Sequence, residues 1–250
     1  MENIDISVKY VRININFNSI NFKSKKIPVN KEIKMNKIVD YILNLIYPPV
    51  CGFCGEICKE SLCKKCEIKI KEYEINSIRK VKDKYFDEIC CVFKYENDIR
   101  DTIIKYKFQN KAYLYKTFSK IILKNEKICG FFKKYDIIIP VPISKKRKQK
   151  RGYNQSSIIA KEIAIFTHLK SETKCLIKQK NTIEQSKLDK KQRKRNVQDA
   201  YKIINKEKLF NKNILLLDDI YTTGSTVNEC AKILKESRAN RIGVITIAKD

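Results

Sequence analysis

The sequence of 250 residues contains few of the residues that mark several common enzyme classes. It has only 6 glycines and one histidine. No glycine is followed by lysine, which excludes the phosphate-binding loop of P-loop hydrolases, and the dinucleotide-binding pattern G-x-G-x-x-G is also absent. No Ser-His-Asp arrangement is evident, so the single histidine, His168, is predicted to be structural.

Long apolar runs are missing as well. No stretch approaches the roughly 18 uninterrupted apolar residues that a membrane-spanning helix needs, so we expect no membrane insertion. The first residues, MENIDISVKYVRININFN, lack the basic segment and apolar core of a signal peptide. The sequence therefore predicts a cytoplasmic protein.

Positive charge, in contrast, is abundant. The chain has 54 Lys and Arg against 28 Asp and Glu, a formal net charge of +26. Such a charge is compatible with nucleic-acid binding. Lysine, isoleucine and asparagine are nevertheless frequent throughout, which is typical of an AT-rich coding sequence. The total charge leaves both interpretations open, so a local basic run is better evidence.

Cysteine is abundant too, and five of the 10 cysteines lie within 16 residues. Cys51-x2-Cys54 and Cys63-x2-Cys66 are two CxxC pairs, a spacing that predicts a tetrahedral four-thiolate Zn2+ site. Four thiolates leave no open coordination position, so the zinc is expected to be structural and necessary for local folding. Cys58 is a fifth thiol that could replace one ligand. Reduced cysteines without metal and an iron–sulfur cluster are the alternatives.

The segments on either side of the cysteines carry weaker patterns. Residues 1–34 contain no motif, and Met1 and Met35 are the only methionines, so a translation start at Met35 is one hypothesis. Apolar spacing predicts four elements between residues 35 and 134. They are a helix from 35 to 49, a charged helix over about 67–84, a strand over 89–95, and an amphipathic helix with Ile99, Ile103 and Ile104 on one face.

From residue 135 onward, continuous apolar runs alternate with helical patterns. YDIIIPVPI, NILLLDDI and RIGVITIA are predicted strands, and NQSSIIAKEIAIF is a predicted helix. The helix after Gly224 has an apolar face formed by Val227, Cys230, Ala231 and Leu234. This order predicts an α/β fold with a parallel sheet that is covered on both faces.

The stretch ILLLDDIYTTGST (214–226) combines two carboxylates with a hydroxyl-rich turn. A buried strand would place Asp218 and Asp219 at its carboxyl end, where ligands bind in open α/β sheets. The turn opens a helix, and Gly224 gives it the backbone freedom to form an anion cradle. The hydroxyls of this cradle belong to Thr222, Thr223, Ser225 and Thr226. Together the two halves predict a ligand with both hydroxyls and a phosphate, such as ribose 5-phosphate; a plain strand-to-helix turn with a polar cap is the alternative.

The most concentrated basic segment is SKKRKQKR, from Ser144 to Arg151, with six positive and no negative charges. It is predicted to form a loop. Such a loop could stabilise a leaving pyrophosphate, contact a nucleic-acid backbone, or be merely solvated.

ILLLDDIYTTGST closely resembles the signature with which type I phosphoribosyltransferases bind 5-phosphoribosyl 1-pyrophosphate (PRPP). Four further stretches occur in the order that is typical of the ComF family, the competence-associated phosphoribosyltransferase-like proteins. They are CGFCG…LCKKC, FKYENDIRDTIIKYKFQNK, IIPVPISKKRKQKRGYNQSSIIA and KNTIEQSKLDKKQRKRNVQDAY. The resemblance covers residues 35–250.

This resemblance implies roles for individual residues. Asp218 and Asp219 would hold the ribose hydroxyls, residues 222–226 would bind the 5-phosphate, and Mg2+ would accompany PRPP. Asp218, Asp219 and Arg151 would be the catalytic residues. The candidates for pyrophosphate binding or for a lid are Arg147, Arg151, Asn154, Gln155, Lys180, Gln185 and Arg193, with Thr182 and Asn196 in the same motif.

The resemblance also implies a domain order. A possibly dispensable extension (1–34) would precede a small zinc-ribbon-like module (35–84) and a type I phosphoribosyltransferase domain (85–250). The implied function is phosphoribosyl transfer to an unknown acceptor, or else the binding of single-stranded DNA or sensing of PRPP with the same fold. With either function, the protein would act in DNA uptake, together with other uptake proteins.

Overall fold

The computed structural model describes residues 48–180, 182 and 189–250. The extension and nearly all of the helix predicted from residue 35 lie outside this part of the chain, as does Gln185. Within the described residues, no helix is long and apolar enough to cross a membrane.

The described residues form α-helices and β-strands that alternate over most of the chain. The helices are α1 (Lys64–Ile70), α2 (Asn97–Phe108), α3 (Leu114–Lys124), α4 (Glu126–Phe132), α5 (Lys145–Arg151), α6 (Gln155–Phe166), α7 (Lys190–Val197) and α8 (Ser225–Glu236). The strands are β1 (Glu74–Lys80), β2 (Glu88–Lys94), β3 (Ile137–Pro140), β4 (Lys170–Ser171), β5 (Leu176–Lys178), β6 (Tyr201–Ile203), β7 (Asn213–Tyr221) and β8 (Arg241–Lys249).

Six of these strands form one sheet in the order β1-β2-β8-β7-β3-β4. All neighbouring pairs are parallel except β1 with β2. The predicted parallel sheet and α/β class are therefore confirmed, with an antiparallel edge strand added. The strands β5 and β6 form a separate antiparallel pair.

Both faces of the sheet are covered, as the apolar runs predict. Alternate residues of β7 enter two different cores, because side chains along a strand point to opposite faces. Leu215 and Leu217 pack with residues of α2, α3, α4 and α6, whereas Ile214 and Leu216 pack with α8 and the β5–β6 pair. The polar residues that follow are thus delivered to the carboxyl edge of the sheet.

The charged helix predicted over about 67–84 is wrong beyond its first turn. Helix α1 ends at Ile70, a short 3-10 turn follows, and Glu74–Lys80 is strand β1. Ile75 and Ile78 have the spacing of a helix face, but residues three apart in a strand point to opposite faces, and the two pack against opposite cores. Sheet pairing therefore overrides the local pattern.

The amphipathic segment after β2 is two helices rather than one. Helix α2 ends at Phe108 and α3 begins at Leu114. Ile99 and Ile103 are fully buried as predicted, whereas Ile104 is only partly buried. The predicted helix over 154–166 is confirmed as α6, and the four apolar positions predicted for α8 are all buried.

Candidate functional site

Two regions gather reactive side chains, and the first is the cysteine module (residues 50–70). The Sγ atoms of Cys51, Cys54, Cys63 and Cys66 all lie within 4.8 Å of one another, and those of Cys54 and Cys63 are 3.9 Å apart. A tetrahedral zinc site with Zn–S bonds near 2.3 Å has S–S edges of about 3.8 Å. The four thiols therefore fit the predicted site. Cys58 lies outside this group, and its thiol donates instead to the Glu60 carbonyl at 2.7 Å.

The electrostatics of these thiols favour a bound cation. Burial would raise the pKa of Cys51, but hydrogen bonds from the backbone of Cys63, Cys54 and Phe53 lower it to about 7. Burial and contact with the other three thiols raise the pKa of Cys66. Four thiols at this separation repel one another once ionised, and a divalent cation removes that repulsion.

The cysteine module is packed against helix α3. A Cβ atom at Gly52 would lie 2.3 Å from Thr117 Oγ1, so only glycine permits this approach. The Thr117 hydroxyl donates to the Ser61 carbonyl at 2.8 Å, and Lys120 forms an ion pair with Glu60. Buried residues of the module share one core with Phe118 of α3; they are Cys51, Leu62, Cys66 and Ile70.

The second region lies at the carboxyl end of β7 and contains the DDIYTTGST segment (residues 218–226). As predicted, the strand passes through a short turn into helix α8. Gly224 adopts a left-handed conformation with φ of 71°. A Cβ atom there would lie 2.7 Å from the Tyr221 ring, so both the backbone and the space demand glycine.

Hydroxyls in this turn already form local hydrogen bonds. Thr223 Oγ1 and Ser225 Oγ are 2.8 Å apart, and Thr223 Oγ1 also accepts from the Ser225 amide at 3.3 Å. Thr226 interacts with the Tyr201 side chain of β6. The amides that open α8 and the hydroxyls around them form the predicted polar cradle, which suits an anion.

The two aspartates of the segment have different surroundings. Asp219 Oδ2 is 2.9 Å from Lys107 Nζ, and their side chains are only 18% and 16% exposed. Asp218 Oδ1 accepts from the Asp219 amide at 2.9 Å. Burial, followed by the negative charge of Asp219, raises the pKa of Asp218 to about 7. One carboxylate is therefore ion-paired while the other holds a proton more tightly than usual, an asymmetry that suits distinct roles at one site.

Lys107 was missed from the sequence, although a signal for it exists. It lies four and eight residues after Ile103 and Ile99, so it continues their buried helical stripe toward the end of α2. A lysine on an apolar stripe needs a buried partner, and Asp219 provides it.

The basic segment 144–151 is a helix, so the predicted loop is wrong. Ser144 caps α5 by accepting from the Arg147 amide at 3.4 Å, and Gly152 ends the helix in a left-handed conformation. A good N-cap outweighs the repulsion among the lysines. Arg147 and Arg151, one turn apart, are half-buried on one face. The four lysines of the helix are exposed; they are Lys145, Lys146, Lys148 and Lys150.

Both arginines contact other parts of the site. Arg147 Nη2 donates to the Thr182 carbonyl at 3.4 Å. The Arg151 guanidinium lies 4.8 Å from the ring centroid of Phe108, the residue next to Lys107, and donates to Gln155 Oε1 at 3.4 Å. Helices α5 and α2 therefore meet beside the carboxyl end of β7.

Asn154 and Gln155 connect the surrounding elements. Asn154 Nδ2 donates to the Val141 carbonyl at 3.0 Å, just after β3. Gln155 is buried, and its Nε2 donates to the Tyr106 carbonyl at 3.4 Å. Asn154 Oδ1 and Thr182 Oγ1 are buried, and neither has a hydrogen-bond partner among the described residues. Such orphaned oxygens are costly unless a ligand or water satisfies them.

The remaining lid candidates lie near β5 and on α7. Lys180 is exposed just beyond β5. Arg193 and Asn196 are half-buried on α7, which packs against α8. His168 lies between α6 and β4. Its Nε2 is 3.0 Å from the Tyr135 carbonyl, a contact that suits a structural role.

A second cation was also missed. Lys178 ends β5, and its ammonium lies 5.1 Å from the centroid of the Tyr201 ring. Burial and the charge of Arg147 lower the pKa of Lys178 to about 8. Lys178 lies among other lysines, Lys174 and Lys180, so the sequence gives no signal that separates it from these exposed neighbours.

Comparison with known proteins gives consistent matches. Residues 143–250 match the family model of the phosphoribosyl transferase domain. Competence protein F of Haemophilus influenzae is 25% identical over 213 residues, which cover 77% of this chain and 92% of that protein. Competence protein ComFC of Bacillus subtilis is 25% identical over 222 residues, which cover 86% and 81%.

The DNA utilization protein YhgH of Escherichia coli K12 is 23% identical over 202 residues, which cover 78% of this chain and 88% of that protein. A solved hypoxanthine phosphoribosyltransferase from Staphylococcus aureus aligns over 54% of this chain and 65% of its own, with 14% identity and a TM-score of 0.35. That structural likeness is too weak to support an argument. The curated relatives match more residues than 143–250 contains, so the similarity extends toward the cysteine module.

Proposed function

Since the chain belongs to the ComF family and has a phosphoribosyltransferase fold, we propose that it binds Mg2+·PRPP at the DDIYTTGST segment and acts in DNA uptake during natural competence. The observation that carries this proposal is the placement of two carboxylates and a phosphate-type cradle at one strand end. Asp218 and Asp219 would take the ribose hydroxyls, and residues 222–226 would take the 5-phosphate.

The asymmetric aspartates suit a sugar diol. The Asp219 carboxylate, ion-paired with Lys107, accepts a hydrogen bond from a hydroxyl, whereas Asp218, whose pKa is raised to about 7, can also donate one when it carries its proton. The cradle at the start of α8 supplies backbone amides and hydroxyls for a phosphate. PRPP presents both groups on one five-membered ring.

Asp218 and Asp219 offer carboxylate oxygens, which are the ligands that Mg2+ prefers. Among the described residues, the only group of three or more potential metal ligands within close reach is the four-cysteine cluster. Asp218 and Asp219 would therefore share the ion with oxygens of the ligand itself, as Mg2+ commonly does with substrate phosphates. When bound, the ion would neutralise negative charge on the pyrophosphate. The cysteine cluster, by contrast, would hold structural Zn2+.

The cations on α5 suit the leaving group. Arg147 and Arg151 lie on the half-buried face, and guanidinium groups bind phosphate oxygens well. The orphaned Asn154 Oδ1 and Thr182 Oγ1 lie on residues that contact the same region and would be satisfied by ligand hydroxyls or bound water. In the transfer reaction, the acceptor forms a bond to C1 of the ribose while the C1–oxygen bond breaks, and pyrophosphate leaves with that electron pair. The acceptor loses a proton in the same reaction.

A second candidate function is supported by the other face of α5. Its four lysines are exposed whereas its two arginines are half-buried, and clustered lysines suit a nucleic-acid backbone. The names of the relatives, which refer to competence and DNA utilization, favour DNA as the partner. We propose single-stranded DNA binding there as an activity compatible with PRPP binding. Replacing the four lysines by glutamine should weaken DNA binding and reduce its salt dependence, while PRPP binding stays unchanged.

Thermal unfolding with and without Mg2+·PRPP tests the main proposal. A ligand at 100 times its dissociation constant stabilises the folded state by about 2.7 kcal/mol. We expect this gain for the wild type and its loss in Asp218→Asn/Asp219→Asn. Asp83→Asn, at an exposed turn before β2, is the matched control and should keep the gain. A wild type that is not stabilised by the ligand would refute PRPP binding.

A further inference from the structure

The β5–β6 pair places a lysine beside the DDIYTTGST segment. Lys178 of β5 is the cross-strand partner of Tyr201 of β6, and its ammonium lies 5.1 Å from the ring centroid. Tyr201 is only 4% exposed, and its side chain also interacts with Thr226. The strand pair is thereby tied to the cradle, and Lys178 has a defined position rather than a free surface one.

The charges around Lys178 are unbalanced. Among the described residues, no carboxylate forms an ion pair with its ammonium. The positive charge of Arg147 on α5 lowers the pKa of Lys178, whereas the negative charges of Cys230 on α8 and Asp218 on β7 act in the opposite sense. Half-buried lysines without a carboxylate partner are uncommon, because the interior desolvates the ammonium.

A bound anion would remove this imbalance. Arg147 and Lys178 are two cations on different elements, and Arg147 also contacts Thr182, whose buried hydroxyl has no partner among the described residues. We infer that Lys178, together with Arg147, binds the pyrophosphate of PRPP; this inference rests on the proposed function.

The pyrophosphate fits this position better than the 5-phosphate does. The 5-phosphate is assigned to the amides and hydroxyls at the start of α8, which bind a phosphate without a lysine. Two cations whose charges repel each other are best balanced by a group with several negative charges, and pyrophosphate is the most highly charged part of PRPP. Cation–π contact with Tyr201 offsets part of the repulsion while the ligand is absent.

Calorimetric titration with three probes tests the inference. Mg2+·PRPP, magnesium pyrophosphate and ribose 5-phosphate would each be titrated into the wild type, Lys178→Met and Lys178→Arg. We expect Lys178→Met to weaken the first two by about tenfold, the effect of one charged hydrogen bond, and to leave ribose 5-phosphate unchanged. Lys178→Arg should restore most of the affinity. Lys174→Met, at an exposed lysine before β5, is the control and should bind all three as the wild type does.

The pH dependence gives a readout that a structural role would not change. Above pH 8 the Lys178 ammonium loses its proton, so affinity for PRPP should fall in the wild type. Lys178→Arg stays charged and should show a flatter profile between pH 7.5 and about 9.5. The neighbouring titratable groups do not produce this difference. Burial raises the pKa of both Tyr201 and Cys230 well above their usual values, and Asp218, with a pKa of about 7, titrates below most of this range in both proteins.

Several results would overturn the inference. Equal PRPP affinity in the wild type and Lys178→Met would do so, as would an equal loss for all three probes, which indicates a structural role. A wild type that binds pyrophosphate but not ribose 5-phosphate or PRPP would refute the proposed function yet keep Lys178 as an anion-binding residue. A wild type that binds none of the probes would refute both.

Discussion

The cysteine module and the DDIYTTGST site gather functional groups in opposite ways. All four thiols come from 16 consecutive residues, and two tight turns bring them within 4.8 Å of one another. The carboxylate site instead combines α2, α5, β5, β6, β7 and α8, which lie between residues 97 and 236. The first arrangement depends on local spacing, whereas the second exists only once the sheet has formed. We therefore expect substitutions in the cysteine module to act mainly on folding. Substitutions at the DDIYTTGST site should affect ligand binding as well as stability.

The largest effect should follow from loss of a thiol. Cys66→Ser removes one of four ligands and opens the core that Cys66 shares with Phe118. Structural zinc contributes on the order of 10 kcal/mol to the folding of small zinc peptides, so we expect loss of the metal and a large fall in thermal stability. Zinc content and the unfolding temperature measure both.

Cys58→Ser is the matched control, because this thiol lies outside the four-cysteine group. It should retain one zinc per chain and near-wild-type stability. A Cys66→Ser protein that keeps its zinc, or a Cys58→Ser protein that loses it, would contradict the assignment of ligands.

The next largest effect should come from Gly224→Ala. Its positive φ costs about 1–2 kcal/mol for an alanine, and contact with the Tyr221 ring adds about 1–3 kcal/mol of overpacking. Gly152→Ala separates the two terms, because Gly152 also has a positive φ but nothing lies within 4 Å of its added Cβ. Denaturant unfolding should show the larger loss for Gly224→Ala. Equal losses would mean that the turn yields easily and that the cradle is not fixed by Tyr221.

These comparisons explain what the sequence can and cannot predict. Spacing suffices for the cysteines, and a buried strand followed by polar residues suffices to place Asp218 and Asp219 at a sheet edge. Lys107, the ion-pair partner of Asp219, and Lys178, which has no such partner among the described residues, come from elements far away in the chain, so no local pattern places them at the site. The resemblance implies a loop at the basic segment, where Ser144 instead caps a helix, and the spacing of Ile75 and Ile78 favours a helix where the structure has β1.

A smaller effect should follow from Lys107→Met, which leaves Asp219 without its ion-pair partner. Because both side chains are mostly buried, we expect a loss of about 1–2 kcal/mol, between the values for surface and buried pairs. The pKa of Asp218 should rise further, since the positive charge of Lys107 lowers it at present. Unfolding experiments and the pH dependence of PRPP binding measure the two effects. Lys116→Met, at an exposed lysine on α3, should change neither; equal behaviour of the two variants would remove Lys107 from the site.

The only gain in stability should come from Asp218→Asn. The folded carboxyl keeps its proton up to a pH of about 7, compared with an ordinary pKa of 3.8, so its contribution to stability falls as the pH rises from 4 to 7. Asparagine removes this slope and should make the protein more stable than the wild type at pH 8, because above its raised pKa the buried carboxyl loses the proton that favours the folded state. Denaturant unfolding at pH 5 and 8 is the measurement. Asp83→Asn should keep the wild-type slope, and a destabilised Asp218→Asn protein at pH 8 would show that the ionised carboxylate is well solvated.

The central claim is that one ligand joins the two halves of the DDIYTTGST segment, and a crystal structure with Mg2+·PRPP tests it most directly. We predict that the ribose hydroxyls lie against Asp218 and Asp219, the 5-phosphate on residues 222–226, and the pyrophosphate between Arg147 and Lys178. Electron density for PRPP at any other place, or its absence at ligand concentrations that saturate the protein in solution, would contradict the account.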